Sequence, residues 1–165
     1  MSSVPNMNAT LSVMTISSPV GSLVLRASNK GLVSIDRGKA VRVKGEAKAE
    51  RNVALAAREL DEYFAGKRRK FTVPLDLHGT PFQLQVWRTL RRIPFGKSVS
   101  YGEEARMLGK PKAARAVGSA NGRNPVPIIV PCHRVVAGDG SLGGYSAGLP
   151  MKRKLLALEG VSVAG

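Results

Sequence analysis

Residues 80–109, TPFQLQVWRTLRRIPFGKSVSYGEEARMLG, carry two helix starts in succession and decide the fold of the second half of the chain. Thr80 is a typical N-cap, and Pro81 suits the first helical position after it. Ser100 and Glu103 form a capping-box pattern that begins the next helix. Apolar residues recur at helical spacing after the first cap, at Phe82, Val86, Leu90 and Ile93. The stretch therefore predicts two helices separated by a segment that contains proline and glycine.

The next segment, KPKAARAVGSANG at residues 110–122, predicts a third short helix after a glycine-containing turn. Two short helices joined by such a turn are typical of a helix-turn-helix, which binds DNA. Three basic residues lie on the second helix or at its ends: Lys112, Arg115 and Arg123. Many helix pairs bind no nucleic acid, so the spacing alone leaves a purely structural pair open.

The chain before residue 79 is typical of short strands followed by one helix. Three β-rich runs separated by turn signals predict a hairpin and a third strand: LSVMTISS (11–18), GSLVLRAS (21–28) and GLVSIDR (31–37). Helical spacing predicts one helix over residues 50–67, with a buried face of Val53, Ala57, Leu60 and Phe64. Residues 70–77 are either a fourth strand or an extended linker, since Pro74 favours an edge or a connection.

The length of 165 residues fits one ordinary domain or two small ones. The pattern changes near residues 76–80, so we expect domains at 1–78 and 79–165. The first is predicted to be a small α/β domain. The second is predicted to be mostly helical, with a winged-helix-like helix-turn-helix, then an extended run, a glycine-rich loop and a last helix. The predicted fold class is therefore α+β.

Charge is the strongest global signal in the composition. Lys and Arg number 26 against 11 Asp and Glu, which gives a net charge of +15. Such a surface attracts polyanions, chiefly nucleic acid, although a host whose proteins are all basic remains an alternative. No apolar run approaches the roughly 18 residues of a membrane span. The absence of a secretory pattern at the N-terminus and the single cysteine predict a cytoplasmic protein without membrane contact.

The single cysteine lies in IIVPCHRVV at residues 128–136. A lone cysteine is most often a small buried apolar side chain. Here His133 is adjacent and able to take the thiol proton, and the basic neighbourhood with Arg134 is expected to lower the pKa of the Cys132 thiol. Pro131 favours a turn, which lets neighbouring side chains act together. One cysteine and two histidines are too few for a zinc cluster, so no metal is expected.

A histidine that acts as a base needs a group that orients its other ring nitrogen. After residue 104 the chain offers two carboxylates, Asp139 and Glu159. Asp139 lies in a GDG turn, and turn formation explains it. Glu159 ends an apolar helix, where the helix dipole disfavours a carboxylate, and that cost indicates a partner. We therefore expect Glu159 to orient His133.

The segment IIVPCHRVV resembles the active-site segment of the O⁶-alkylguanine-DNA alkyltransferases, the methylated-DNA–protein-cysteine methyltransferases. Further blocks resemble the same family in the same order and spacing: FQLQVWRTLRRIPFGKSVSYGEEA, PKAARAVGSANGRNPVP, GSLGGYSAG and KRKLLALEG. Together they cover most of residues 80–160, whereas the first 79 residues resemble the family only in a general way. The resemblance implies direct-reversal DNA repair, in which the alkyl group of O⁶-alkylguanine, and less readily of O⁴-alkylthymine, moves irreversibly to a cysteine.

The resemblance also implies roles for five residues in this chemistry. Cys132 would be the nucleophile, and His133 would take its proton through a water. Glu159 would orient His133, and Asn124 would brace the network through its side-chain amide. Tyr101 would give a proton to the departing guanine. The thioether product is inert, so each protein molecule would act once, without a cofactor.

The family turns the damaged base out of the duplex from the minor groove and inserts an arginine, which Arg115 matches. Small residues of the same helix suit a close approach to that groove: Ala114, Ala116, Gly118, Ser119 and Ala120. Tyr101 and Arg123 complete the implied DNA contacts. The implied guanine pocket consists of Pro127, Val135, Tyr145, Ser146 and Ala147. The expected partner is double-stranded DNA with an alkylated guanine, bound by a monomer, and His78 has no assigned role.

Three other classes of protein share some of these features. Alkyltransferase-like proteins bind damaged DNA but lack the cysteine, so Cys132 argues against that class. A DNA-binding regulator suits the charge and the helix-turn-helix but does not need Cys132, His133 and Glu159 together. A cysteine hydrolase would turn over and would not need the positive charge.

Overall fold

Three antiparallel strands and one helix form the first unit of the chain, which ends at Gly79. The structure is a computed structural model that describes residues 10–163. The strands are neighbours in chain order: β1 (Ser12–Ile16), β2 (Leu23–Ala27) and β3 (Leu32–Arg37). The predicted hairpin is confirmed. Gly21 makes its turn possible, because φ there is 103° and its amide donates to the Ser18 carbonyl at 3.0 Å.

The helix α1 (Ala47–Phe64) packs on this sheet through a face that differs from the predicted one. It starts earlier than expected and buries Ala49, Val53, Ala56, Glu59, Leu60 and Tyr63. Ala57 and Phe64, which the sequence pattern placed in the core, are only half-buried. The buried stripe of the helix runs through Val53 and Leu60. Ala56 and Tyr63 lie closer to this stripe, and they occupy the core positions predicted for Ala57 and Phe64.

The segment at residues 70–77 is an extended connection, the second of the two predicted alternatives. A single parallel bridge joins Leu75 to Leu32 of β3, and no regular strand forms at 70–77. Pro74 lacks an amide hydrogen for a ladder, so pairing does not continue past the bridge.

The second unit begins at Thr80, whereas the predicted domain begins at residue 79. The prediction that this unit is mostly helical is confirmed. Its elements in chain order are α2 (Pro81–Leu90), β4 (Val99–Ser100), α3 (Tyr101–Met107), α4 (Ala114–Gly122), a 3-10 turn at Cys132–Arg134, β5 (Val135–Val136) and α5 (Leu149–Leu158). The short strands β4 and β5 pair in parallel. The helices α3 and α4 pack on each other and on α2, and they are the pair that the sequence predicts.

Both predicted helix starts in this unit are confirmed. The Thr80 hydroxyl accepts from the Gln83 amide at 3.1 Å, and the Gln83 side chain accepts from the Thr80 amide at 3.0 Å. Ser100 and Glu103 exchange the same two hydrogen bonds, at 3.1 and 3.2 Å. The helix α2 ends at Leu90, earlier than predicted, because the chain continues in tighter turns with hydrogen bonds three residues back.

The buried side chain of Trp87 ties α2 to α4. Its indole N–H donates to the Ala120 carbonyl at 2.9 Å. The chain that leads to the 3-10 turn is also buried, and Ile128 there has a φ of 77°, a left-handed conformation that bends the backbone before Pro131. Within residues 10–163, no helix combines the length and the apolar character needed to cross a membrane.

Candidate active site

Cys132 occupies the first position of the 3-10 turn, directly after Pro131. The predicted turn is therefore confirmed. The thiol is free and its residue is 7% exposed. The side-chain amide of Asn124 holds it, since Nδ2 donates to Cys132 Sγ at 3.2 Å and to the Val130 carbonyl at 2.7 Å. Asn124 Oδ1 accepts from the Val126 amide at 2.9 Å, so one side chain fixes both the sulfur and the loop before it.

His133 and Glu159 meet in the interior of the second unit. His133 Nε2 lies 2.7 Å from Glu159 Oε2, and both side chains are fully buried. Arg134 binds the same carboxylate through two nitrogens, with Nε–Oε1 at 2.8 Å and Nη2–Oε2 at 3.1 Å. Arg134 also donates to the Ile93 carbonyl at 2.6 Å. These two partners offset the unfavourable position of Glu159 at the carboxyl end of α5.

The protonation state of His133 follows from this burial. Burial lowers the pKa of His133, against the opposing effect of Glu159, so the imidazole is neutral near pH 7. A neutral ring that faces a carboxylate donates from Nε2, which leaves the lone pair on Nδ1. His133 Nδ1 is buried and has no hydrogen-bond partner among the described residues. The ring is therefore set up to receive a proton at Nδ1.

The expectation of a lowered thiol pKa is wrong. Burial raises the pKa of Cys132 to about 11, and the Asn124 hydrogen bond and the charge of Lys152 reduce this effect only in part. Arg134 does not supply the expected positive field, because its charge is paired with Glu159. The sulfur therefore rests as a thiol, and its proton has to leave when the reaction begins.

Lys152 is a functional candidate that sequence reasoning missed. Its side chain is fully buried, and Nζ donates to the carbonyls of Val135 at 2.6 Å, Leu142, and Gly144 at 2.9 Å. Burial lowers the pKa of Lys152 to about 8, and the Cys132 charge opposes this shift. The signal was present in the sequence, since Lys152 and Glu159 are seven residues apart, two helical turns, and share the buried face of α5.

A pocket of about 390 Å³ opens beside the sulfur. Its lining consists of Tyr101, Gly118, Asn121, Gly122, Cys132, Gly144, Tyr145 and Ser146. The Tyr101 hydroxyl accepts from the Gly144 amide at 3.3 Å. Burial raises the pKa of Tyr101, and burial beside Cys132 raises the pKa of Tyr145, so both phenols keep their protons.

The pocket differs in part from the one that the resemblance implies. Tyr145 and Ser146 line it, but among the described residues Pro127, Val135 and Ala147 do not. Val135 belongs to β5 and is fully buried, and its carbonyl is taken by Lys152. The missed wall is the helix α4, whose small residues at 118 and 122 leave room for a ligand.

The helix α4 presents small and basic residues at the protein surface. Arg115, Ala116, Ser119 and Arg123 are exposed, whereas Ala114 and Gly118 are half-buried. Ala120, which was expected to contact DNA, is 3% exposed, and its carbonyl accepts from Trp87, so it belongs to the core. The exposed face carries two guanidinium groups without bulky neighbours, which suits a close approach to a polyanion.

Asp139 and His78, which have no part in the proposed chemistry, each have a structural partner. Asp139 accepts from the Ser141 amide and hydroxyl at 3.0 and 2.7 Å, as expected for a turn residue. His78, in the first unit, lies 3.0 Å from Asp76, through Nε2 and Oδ1. No group of three His, Cys, Asp or Glu side chains suited to a metal ion occurs within residues 10–163.

Comparisons with known proteins agree on one family for both units of the chain. Residues 12–77 match the family described as 6-O-methylguanine DNA methyltransferase, ribonuclease-like domain, and residues 81–161 match the DNA binding domain of the same description. The methylated-DNA–protein-cysteine methyltransferase of Mycolicibacterium paratuberculosis is 46% identical over 148 residues, which cover 88% of this chain and 90% of the relative. The constitutive enzyme of the same name from Bacillus subtilis is 50% identical over 118 residues, covering 71% and 72%.

Solved structures agree with these relatives. The crystal structure of Mycobacterium tuberculosis O6-methylguanine methyltransferase is similar with a TM-score of 0.79 at 42% identity, covering 94% of this chain and 97% of that one. A structure of Mycobacterium tuberculosis OGT in complex with DNA is similar with a TM-score of 0.77 at 45% identity, covering 88% and 90%.

Proposed function

This chain belongs to the 6-O-methylguanine DNA methyltransferase family, and from that premise we propose that Cys132 accepts the alkyl group. The activity is DNA repair by alkyl transfer from methylated DNA to a protein cysteine. One observation carries the assignment: the only cysteine of the chain lines a pocket and is followed directly by a buried His–Glu pair. Asn124 and Lys152 give the sulfur a hydrogen bond and a nearby positive charge.

The reaction is a displacement at carbon. Cys132 Sγ forms a bond to the alkyl carbon as the bond from that carbon to guanine O⁶ breaks, and the electron pair goes to guanine. The thiol proton passes to His133 Nδ1, by way of a water, and Glu159 stabilises the imidazolium that forms. Tyr101, whose phenol keeps its proton at neutral pH, returns a proton to the guanine anion. The proton held by His133 then replaces the one that Tyr101 gave up. The products are neutral guanine and an alkylated Cys132, with His133 neutral and Tyr101 protonated as before.

The transfer is irreversible and occurs once per molecule. A thioether is a poor leaving group, and the chain has no second cysteine that could take the alkyl group from Cys132. The extent of the reaction is therefore limited by the amount of protein. The direct displacement by sulfur itself uses no cofactor. The same chemistry at O⁴-alkylthymine is expected to be slower.

The exposed face of α4 is the proposed contact with the minor groove. A guanine inside a duplex is out of reach of a pocketed sulfur, so the base has to turn out of the stack. Arg115 is exposed at the first turn of α4 and fills the space that the base leaves. Ala116 and Ser119 allow the helix to approach closely, and Arg123 binds a phosphate. We propose that the protein acts as a monomer. We also propose that it acts in the cytoplasm, where thiols stay reduced.

The test is mass spectrometry of the peptide that contains Cys132 after the protein is mixed with duplex DNA containing O⁶-methylguanine. We expect a gain of one methylene on Cys132 that saturates at one per protein. The matched duplex with ordinary guanine, and Cys132→Ser with the damaged duplex, should show no gain. Tight binding of the damaged duplex without any gain on Cys132 would reject the acceptor assignment.

A further inference from the structure

Glu104 on α3 is a buried carboxylate that the mechanism above does not use. Its side chain is fully buried, and it accepts one hydrogen bond, from Asn121 Nδ2 to Oε1 at 2.8 Å. Within residues 10–163 it forms no ion pair. The other two fully buried carboxylates, of Glu59 and Glu159, each accept several hydrogen bonds and bind an arginine.

The atoms around Glu104 lack a donor. Glu104 Oε2 and Asn121 Oδ1 are both buried acceptors without a partner among the described residues. A hydrogen on the carboxyl group supplies the missing donor, because a protonated carboxyl donates from one oxygen while the other still accepts. Burial raises the pKa of Glu104 to about 7, which agrees with a carboxyl group that is neutral for part of the physiological range.

Glu104 is linked to the reacting groups through its partner and through space. Asn121 lines the same pocket as Cys132 and Tyr101. When Glu104 is ionised, its charge raises the pKa of both Cys132 and Tyr101. These are the titratable groups that respond to it.

Other charged groups lie on α3 or on and beside the elements packed on it: Arg88, Arg91, Arg92, Lys97, Glu103, Arg106, Lys112, Arg115, Arg123 and Arg134. No ion pair within residues 10–163 involves Glu104. The Glu104 charge is therefore not neutralised locally when it forms.

We propose that Glu104 is a positioning residue whose protonation state sets the ease of thiolate formation at Cys132. As a neutral acid it holds Asn121 in the pocket wall and leaves the developing negative charge on sulfur unopposed. As a carboxylate it places a second negative charge behind the same wall and slows the transfer. The inference rests on Cys132 being the alkyl acceptor.

The test is the single-turnover rate of methyl transfer from a saturating O⁶-methylguanine duplex, measured between pH 6 and pH 8.5 for the wild type and Glu104→Gln. Glutamine keeps the shape and never ionises. The variant and the wild type should react equally at pH 6, and the variant should be about three- to fivefold faster at pH 8.5. The reason is that the Glu104 charge disfavours the thiolate, and a shift of one pKa unit changes the thiolate fraction up to about tenfold. The ratio should change around pH 7, where burial places the pKa of Glu104.

Glu103→Gln is the matched control, since it removes a charge from the adjacent, exposed position and keeps the cap on α3. Its rate ratio to the wild type should be independent of pH. Parallel profiles for Glu104→Gln and the wild type would overturn the coupling. Absence of transfer in the wild type would overturn the acceptor assignment, and this coupling with it.

Thermal unfolding gives a readout that does not depend on the reaction. Folding raises the pKa of Glu104 above its usual value, so the wild type loses stability as the pH rises from about 4.5 through 7. Glu104→Gln lacks this loss, and the Tm difference between the two proteins should open between pH 5 and pH 8. A constant difference would show that Glu104 is ionised throughout and would overturn the inference.

Discussion

Glu59 in the first unit and Glu159 in the second are both fully buried carboxylates that bind an arginine, but their remaining partners differ. Glu59 accepts from the backbone amides of Thr72 and Val73 and from the Thr72 hydroxyl, at 2.6 to 3.2 Å, and Arg68 lies 3.1 Å away. Glu159 instead binds the side chains of His133 and Arg134.

This difference separates a carboxylate that holds the backbone from one that, in the proposed mechanism, positions His133. A backbone amide has a single hydrogen, so it cannot relay the effect of the Glu59 charge to a further group. The role of Glu59 is therefore to fix the segment that follows α1. His133 has a second nitrogen, so the effect of Glu159 continues through the ring to Nδ1. The identity of the partners, more than burial or the presence of an arginine, distinguishes the two sites.

The largest expected effect comes from exchanging the two carboxylates for amides. Glu159→Gln should slow methyl transfer by about 100- to 10,000-fold, because the neutral amide no longer stabilises the imidazolium and His133 can no longer act as an effective general base. Glu59→Gln should leave the single-turnover rate of folded protein unchanged. It should lower stability by about 2–4 kcal/mol, measured by urea unfolding, because Arg68 loses its buried partner. A comparable loss of rate in both variants would break the comparison.

Lys152 combines features of both sites. Like Glu59, it is a buried charged group that binds the backbone, in this case only carbonyls. Like Glu159, it lies in the second unit, and it is near the Cys132 sulfur. Lys152→Met should lower stability by about 2–4 kcal/mol, because three carbonyls lose their donor. It should also slow transfer about tenfold, since the thiolate loses a nearby positive charge. The exposed Lys154→Met on the same helix is the control for urea unfolding and rate. An unchanged transfer rate in Lys152→Met would show that Lys152, like Glu59, has a purely structural role.

The comparison extends to exposed arginines of the two units. Arg115→Ala on α4 should slow repair of duplex DNA about tenfold, because the vacated base stack is no longer filled. Its reaction with free O⁶-benzylguanine should be nearly unchanged, since no duplex has to open. Arg58→Ala, which removes the same charge from an exposed position of α1, should affect neither substrate. Equal losses on duplex and free base would contradict the insertion role.

The smallest effect concerns the two capping boxes. Thr80→Ala and Ser100→Ala should each lower stability by about 1 kcal/mol in thermal unfolding, because a helix start loses an acceptor. Ser100→Ala should also reduce the transfer rate, by less than about threefold, since Tyr101 of the pocket follows directly in α3. A rate loss for Thr80→Ala as well would show that the caps act on the site through stability alone.

Local signals in the sequence predicted the parts of the fold that depend on neighbouring residues. The caps at Thr80 and Ser100 are of this kind, because a hydroxyl and a side chain three residues later are enough to start a helix. Scarcity directed attention to Glu159, since few carboxylates follow residue 104. The face of α1 was misplaced at Ala57, because helical spacing alone does not separate two adjacent stripes.

The chemistry of the site depends on contacts between distant residues, and the sequence does not contain these explicitly. Lys152 is stable in the interior because carbonyls of β5 and the glycine-rich loop converge on it. The raised pKa of Cys132 comes from burial, which outweighs the basic residues beside it in the chain. In the sequence, Glu104 looks like an exposed charge in the first turn of a helix. Only the packing of α4 against α3 shows that it is buried.

The buried ring of Trp87 offers an optical probe of α4, the helix proposed to contact DNA. It is the only tryptophan in the chain, and its N–H is bound to the Ala120 carbonyl in α4. Fluorescence excited at the indole band therefore reports the second unit and is silent about the first. A movement of α4 away from α2 on DNA binding would expose the indole to water and shift its emission to longer wavelength, which gives a signal for engagement that needs no added label.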